Sequence, residues 1–140
     1  MATKYYAFDA APGLLKRDNG QAAVTATGYI GAQWDQLAPA ATDCIALVNV
    51  EAVAAAGQYT FRIVGSNVAD RSDATVLGTL EMGAAAISAP ETDVTVAGDR
   101  GEVRFRTERD DVRYQYIDLH LTAAGTSPSM AFSAYITKEM

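Results

Sequence analysis

The chain has 140 residues, 17 acidic against 11 basic, for a formal net charge of −6 at pH 7, and 49% of it is apolar. That length makes one domain, which buries roughly 70% of its unfolded surface, and a single cysteine leaves it to fold without disulfides. The acid surplus disfavours a nucleic-acid groove, which needs Lys and Arg to neutralise phosphates, and an apolar fraction supplied largely by Ala and Gly points to a thin two-layer core.

Residues 1–20 carry Tyr5, Tyr6 and Phe8, then Pro12, Gly13, Lys16, Arg17, Asp18, Asn19 and Gly20, with neither helical nor strand periodicity. They read as an extended N-terminal arm ahead of a domain over 21–140. Tyr5, Tyr6 and Phe8 are too apolar to stay free in water and are expected to pack on the domain or on a neighbouring subunit. An edge strand of the same domain explains the signals equally well. The segment lacks the apolar core of a secretory signal, and no later run has the length of a membrane span, so a soluble protein made in the cytosol is expected, with no membrane partner.

From Ala22 onward, short strand-like runs alternate with turn signals. Strands are predicted near 22–34, 44–51, 58–66, 75–82, 93–97, 102–108, 113–122 and 129–138. Gln58–Ser66 puts Tyr59, Phe61 and Ile63 on one face with Thr60 and Arg62 opposite, and Val64 on the polar side implies that this face is partly covered. Ala52–Gly57 is too short for a stable helix and reads as a loop or one turn. In 100–111 four Arg meet four acids, a mixed-charge face rather than a polyanion site. Near the C-terminus Ile117, Leu119 and Leu121 share a face, as do Met130, Phe132, Ala134 and Ile136 beyond the turn at Ala124–Pro128. Eight short strands without helical stripes fit an all-β jelly-roll sandwich, which manages strand edges by pairing two sheets.

Chemistry-bearing groupings are sparse. The chain has no G-x-G-x-x-G, P-loop, G-x-S-x-G or H-E-x-x-H, so neither an enzyme nor a cofactor is expected. Cys44 lies in an apolar run and reads as a buried thiol; a catalytic dyad would need His120, the one histidine. Asp118 and His120 lie two apart on a strand, so they share a face by alternation alone, and a triad with a Ser is formally available. Asp70 with Asp73, and Glu108 with Asp110 and Asp111, could offer oxygens to a hard cation, although neither has EF-hand spacing and both read as solvated turns, so no metal is expected. Tyr114, Tyr116, Asp118 and His120 form one polar row, with Tyr135 on a strand expected nearby. Tyr combines contact area with a polar tip, which suits an interface or a sugar platform, and equally an edge covered within one subunit.

The segments Ala10–Leu15, Ala22–Ile30, Phe61–Ser66, Arg113–Ile117 and Ala123–Thr126 together resemble the small jelly-roll capsid cement, or decoration, proteins of tailed bacteriophages, particularly the Bordetella-phage type. The similarity extends over most of 10–138 through strand patterns of moderate specificity, while the Arg-rich 100–111 and the 84–99 loop depart from it. It implies a homotrimer on the outer surface of an icosahedral phage head, bridging neighbouring major capsid subunits against the pressure of packaged DNA. The arm and the Tyr114/Tyr116 face are then expected to supply capsid or trimer contacts. The alternative is a carbohydrate- or receptor-binding jelly roll of a phage fibre or bacterial lectin, using exposed aromatics and a cation at one of the acidic turns. A cupin-like enzyme is disfavoured because one His cannot supply its usual metal ligands.

Overall fold

Strands with one apolar face must bury it against another sheet, and here two sheets do so face to face. The computed structural model describes residues 6–7, 14–54, 56–83 and 95–139, which hold ten strands and no helix. The strands are β1 (Tyr6–Ala7), β2 (Leu15–Arg17), β3 (Gly28–Ala40), β4 (Asp43–Val53), β5 (Gly57–Ser66), β6 (Thr75–Gly83), β7 (Arg100–Arg106), β8 (Glu108–Arg109), β9 (Val112–Gly125) and β10 (Met130–Glu139). In the first sheet β10 pairs with β4 and β4 with β7, while β1 and β2 share the other edge of β10. The second sheet runs β3-β9-β5-β6, with β8 paired to β9. Most successive strands cross between the sheets, and the orders β2-β10-β4-β7 and β3-β9-β5-β6 make the double Greek key of a jelly roll, as the sequence leads one to expect. No described helix is long and apolar enough to cross a membrane.

The core follows the alternation. Cys44, Ala46, Val48 and Val50 of β4 and Met130, Phe132, Ala134 and Ile136 of β10 meet Tyr59, Phe61 and Ile63 of β5 and Ile117, Leu119 and Leu121 of β9. Phe61 and Phe132 close the gap edge to face, with centroids 5.1 Å apart. Val64 is buried on the opposite side of β5, so that face is covered as its sequence implies. Of the loop expected at Ala52–Gly57, Ala52 and Val53 end β4 and Gly57 opens β5, its N–H donating to Ala54 O at 3.0 Å. The outward side chains of β7, from Arg100 to Arg106, are exposed and mixed in charge, with Arg106 paired to Asp43 and Glu108.

Several boundaries differ from the sequence reading. The strand expected at 22–34 lies at 28–40, with only an isolated bridge, Val24 to Met130, before it. Pro39 hides this extension, yet β3 is an edge strand, where a missing N–H costs no ladder bond. Of the strand expected at 93–97, residues 95 and 96 are irregular, residue 97 opens a turn, and 93–94 lie outside the described residues. The described parts of 1–20 follow the edge-strand alternative: Tyr6 and Ala7 pair with Glu139 and Lys138, β2 pairs with β10, and Leu14 enters the core. Tyr5 and Phe8 lie outside the described residues, as does the side chain of Tyr6.

Candidate interaction face and the ion cluster beneath it

The expected row of ring-bearing residues separates into three places. Tyr116 and His120 do share the outer face of the second sheet, half-buried. Tyr114 does not join them; it is buried in the core with only 6% of its surface exposed. The cause is a break in the pleat between Tyr114 and Ile117, both of which point inward. There the backbone of β9 bonds to side chains instead of strand neighbours: Gln115 N–H donates to Asn67 Oδ1 at 2.9 Å and Gln36 Nε2 donates to Tyr114 O at 2.7 Å. The ring then lies over Gly65, where any β-carbon would meet it. Tyr135 is on β10, in the other sheet, so Tyr116 and Tyr135 lie on opposite sides of the sandwich.

Beneath the outer face of the second sheet lies a charged cluster that no local sequence signal marks. Residue Asp118 points outward from β9 and is nonetheless 1% exposed. Arg71, from the loop between β5 and β6, folds over it with two parallel bonds, Nε to Oδ2 at 3.0 Å and Nη2 to Oδ1 at 2.9 Å. Such a fork is the strong geometry for a guanidinium and a carboxylate. Gln33 Nε2 adds a third bond to Oδ2 at 2.9 Å. The bond to Asp118 holds the Arg71 guanidinium above its usual range.

Lys16 reaches the same cluster from β2. Its ammonium donates to Ala32 O at 2.7 Å and to Ile117 O at 3.2 Å, and the residue is 3% exposed. The acceptors are available because β3 bulges between Ile30, opposite Leu119, and Trp34, opposite Ile117. Gly31 makes the bulge: its φ is +72°, and a Cβ there would strike the Lys16 carbonyl oxygen. Burial pushes the Lys16 amine down from 10.5 to about 8, against the upward pull of Asp118 and with a smaller downward push from Arg71.

Arg71 also lies over the Tyr29 ring, 4.1 Å from its centroid, and Tyr29 meets His120 edge to face at 4.9 Å. Burial and then the Arg62 charge hold His120 below its ordinary value. Arg62 in turn donates to Thr122 Oγ1 at 2.9 Å. The outer surface is therefore a fixed patch of Tyr29, Arg71, His120 and Arg62 seated on a buried carboxylate. Chemically the cluster is a clamp: three N–H donors occupy the Asp118 carboxylate and two carbonyls engage the Lys16 amine. The pairing of Asp118 with Arg71 and Gln33 also gives it partners other than His120. Cys44 belongs to the first sheet and His120 to the second, so the expected buried-thiol reading of Cys44 matches its place in the core.

The acidic turns are engaged locally. Asp70 Oδ1 accepts the Ser72 N–H at 2.9 Å, while Asp73 accepts from Ser66 Oγ and from the Asn67 N–H at 3.0 Å, bonds that hold the Asp73 carboxyl below its usual range. Glu108 bonds Arg113 at 3.1 Å, and Asp110 and Asp111 adopt φ values of +51° and +63° in the turn between β8 and β9. Among the described residues no three His, Cys, Asp or Glu side chains converge as a metal site. Of the participants in the clamp, Asp118 and His120 were visible as a row, whereas Lys16, Tyr29, Gln33 and Arg71 were not. Arg71 reads as a solvated turn residue because its partner is 47 positions away.

No protein-family model matches this sequence, and no curated protein matches it.

Proposed function

We propose that this protein is a capsid cement protein of a tailed bacteriophage, binding the outside of an icosahedral head as a homotrimer and bridging major capsid subunits. The observation that carries the reading is the complete jelly-roll strand order, the architecture implied by the sequence resemblance. The clamp supports it as well. Its polar groups are spent on fixing a loop and an edge strand to the sheet, which suits a body that must stay rigid while many weak contacts add through multiplicity.

Quantitative mass spectrometry of purified particles tests the proposal through the copy number of this chain relative to the major capsid protein. A ratio near that of the capsid subunits is expected. A few copies per particle would indicate a fibre or tail tip, and absence from the particle would refute the reading. The carbohydrate-binding alternative draws on one observation, the 42% exposed Tyr29 ring between Arg71 and His120. Silence on a glycan array, with and without calcium, would remove it.

A further inference from the structure

We infer that the end of the sandwich bearing Leu37, Val68 and Val112 docks on a protein surface that offers an apolar socket bordered by basic side chains. Within the cement reading, on which this inference rests, that surface belongs to the major capsid protein.

Leu37 is 86% exposed, the most exposed large hydrophobic side chain among the described residues, and its φ is +70°. A branched residue rarely adopts that conformation, and the surrounding structure must hold it there. Asp35 Oδ1 accepts the Leu37 N–H at 2.7 Å and the Gln115 Nε2–H at 2.9 Å, fixing the backbone just before the tip. Gln36 spans the base of the bulge, donating to Tyr114 O and accepting from Thr42 Oγ1 at 2.8 Å. The leucine is thus a prong whose shape is set by its neighbours and not by its own burial. A contact prepared in this way loses little freedom on binding.

Two further exposed apolar residues stand around the same stretch of β9. Val68, 43% exposed, follows Asn67, whose amide donates to Arg113 O at 2.8 Å. Val112, 44% exposed, follows the Asp110–Asp111 turn. Leu37 and Val68 therefore flank residues 113–115 from the β3 and β5 sides, with Val112 at their head.

Charge selects the occupant. The segments 35–43, 66–75 and 105–113 that build this end carry seven carboxylates and four guanidiniums. One of those guanidiniums, Arg71, is committed to Asp118. An acidic rim repels nucleic acid, anionic lipid and the same end of a second copy, and it complements a basic protein surface.

The test is co-sedimentation of the full chain with shells assembled from the phage's major capsid protein. Leu37→Gly removes the prong and relieves the backbone, so it folds; Val112→Asp disrupts the same patch; Val96→Asp alters an exposed residue at the opposite end. The expected result is at least tenfold weaker binding for Leu37→Gly and for Val112→Asp, wild-type binding for Val96→Asp, and wild-type affinity that falls as salt rises. Wild-type affinity within twofold for both patch variants would overturn this inference and leave the cement reading standing. Shells that bind no wild-type protein would overturn both.

Discussion

Replacing Lys16 by Met should change how stability depends on pH, in a direction fixed by the burial of the amine. In the folded chain Lys16 titrates near 8, against 10.5 for the unperturbed side chain. Between those values the unfolded chain holds the extra proton, so raising the pH favours the folded state. Below pH 8 the folded chain bears the whole cost of a buried ammonium, and above 10.5 that cost is gone. At about 1.4 kcal/mol per pH unit, the full cost is about 3 kcal/mol, and the portion recovered between pH 7 and pH 9 is about 1.3 kcal/mol. Urea unfolding of wild type and Lys16→Met at pH 7, 8 and 9, under reducing conditions, isolates the effect. Contributions shared by both proteins cancel in the difference. Wild type should gain about 1.3 kcal/mol on the variant across that range. A difference that stays flat, or that moves against wild type, would refute the claim that desolvation outweighs the attraction of Asp118.

Three other outcomes follow from the same geometry. Gly31→Ala should destabilise by about 3 kcal/mol or more, because the added carbon strikes the Lys16 carbonyl at a backbone angle that side chains resist; thermal melts check it, and a loss under 1 kcal/mol would show that the bulge can relax. Arg71→Ala strips the fork from a buried carboxylate and should cost about 2–4 kcal/mol, with Asp118→Asn in the Arg71→Ala background recovering part of it; a fully additive double mutant would contradict the coupling. Deleting residues 2–12 removes the two-residue pairing of β1 but keeps Leu14 and β2, so the sandwich should stay folded by circular dichroism while retention on capsids weakens. Unchanged retention would dispose of a role for the arm in capsid contacts.

The fold was legible because a two-residue period survives without help from tertiary context. Tyr59, Phe61 and Ile63 face the core as their spacing requires, and so do the apolar residues of β10. What failed was the assumption that the period continues unbroken. Tyr114 counts onto the outer row only if the pleat persists from Tyr114 to Ile117, and Asn67 and Gln36, 48 and 78 positions from their backbone partners Gln115 and Tyr114, are what break it. β2 was hidden for a different reason. Three residues containing a Lys and an Arg have no strand signal of their own, and they pair because Leu14 is drawn into the core and Lys16 finds two carbonyls.

That position explains why a charge is tolerated where a hydrophobic residue would fit. A Met at 16 would avoid the desolvation cost, but Ala32 O and Ile117 O, opened by the bulge, would lose their donor. The lysine therefore does what an apolar residue cannot: it accepts only the register of β2 that brings its amine to those oxygens. Slipping β2 by one residue along β10 would turn Lys16 out to solvent and Leu15 inward, leaving both carbonyls dry. At Ala134 and Tyr135 the edge of β10 is thereby closed by one defined segment of the chain, and a neighbouring copy cannot pair there without displacing it. Under the proposed cement role, in which many copies crowd onto one surface, a closed edge favours contact through side chains such as Leu37 over uncontrolled strand exchange.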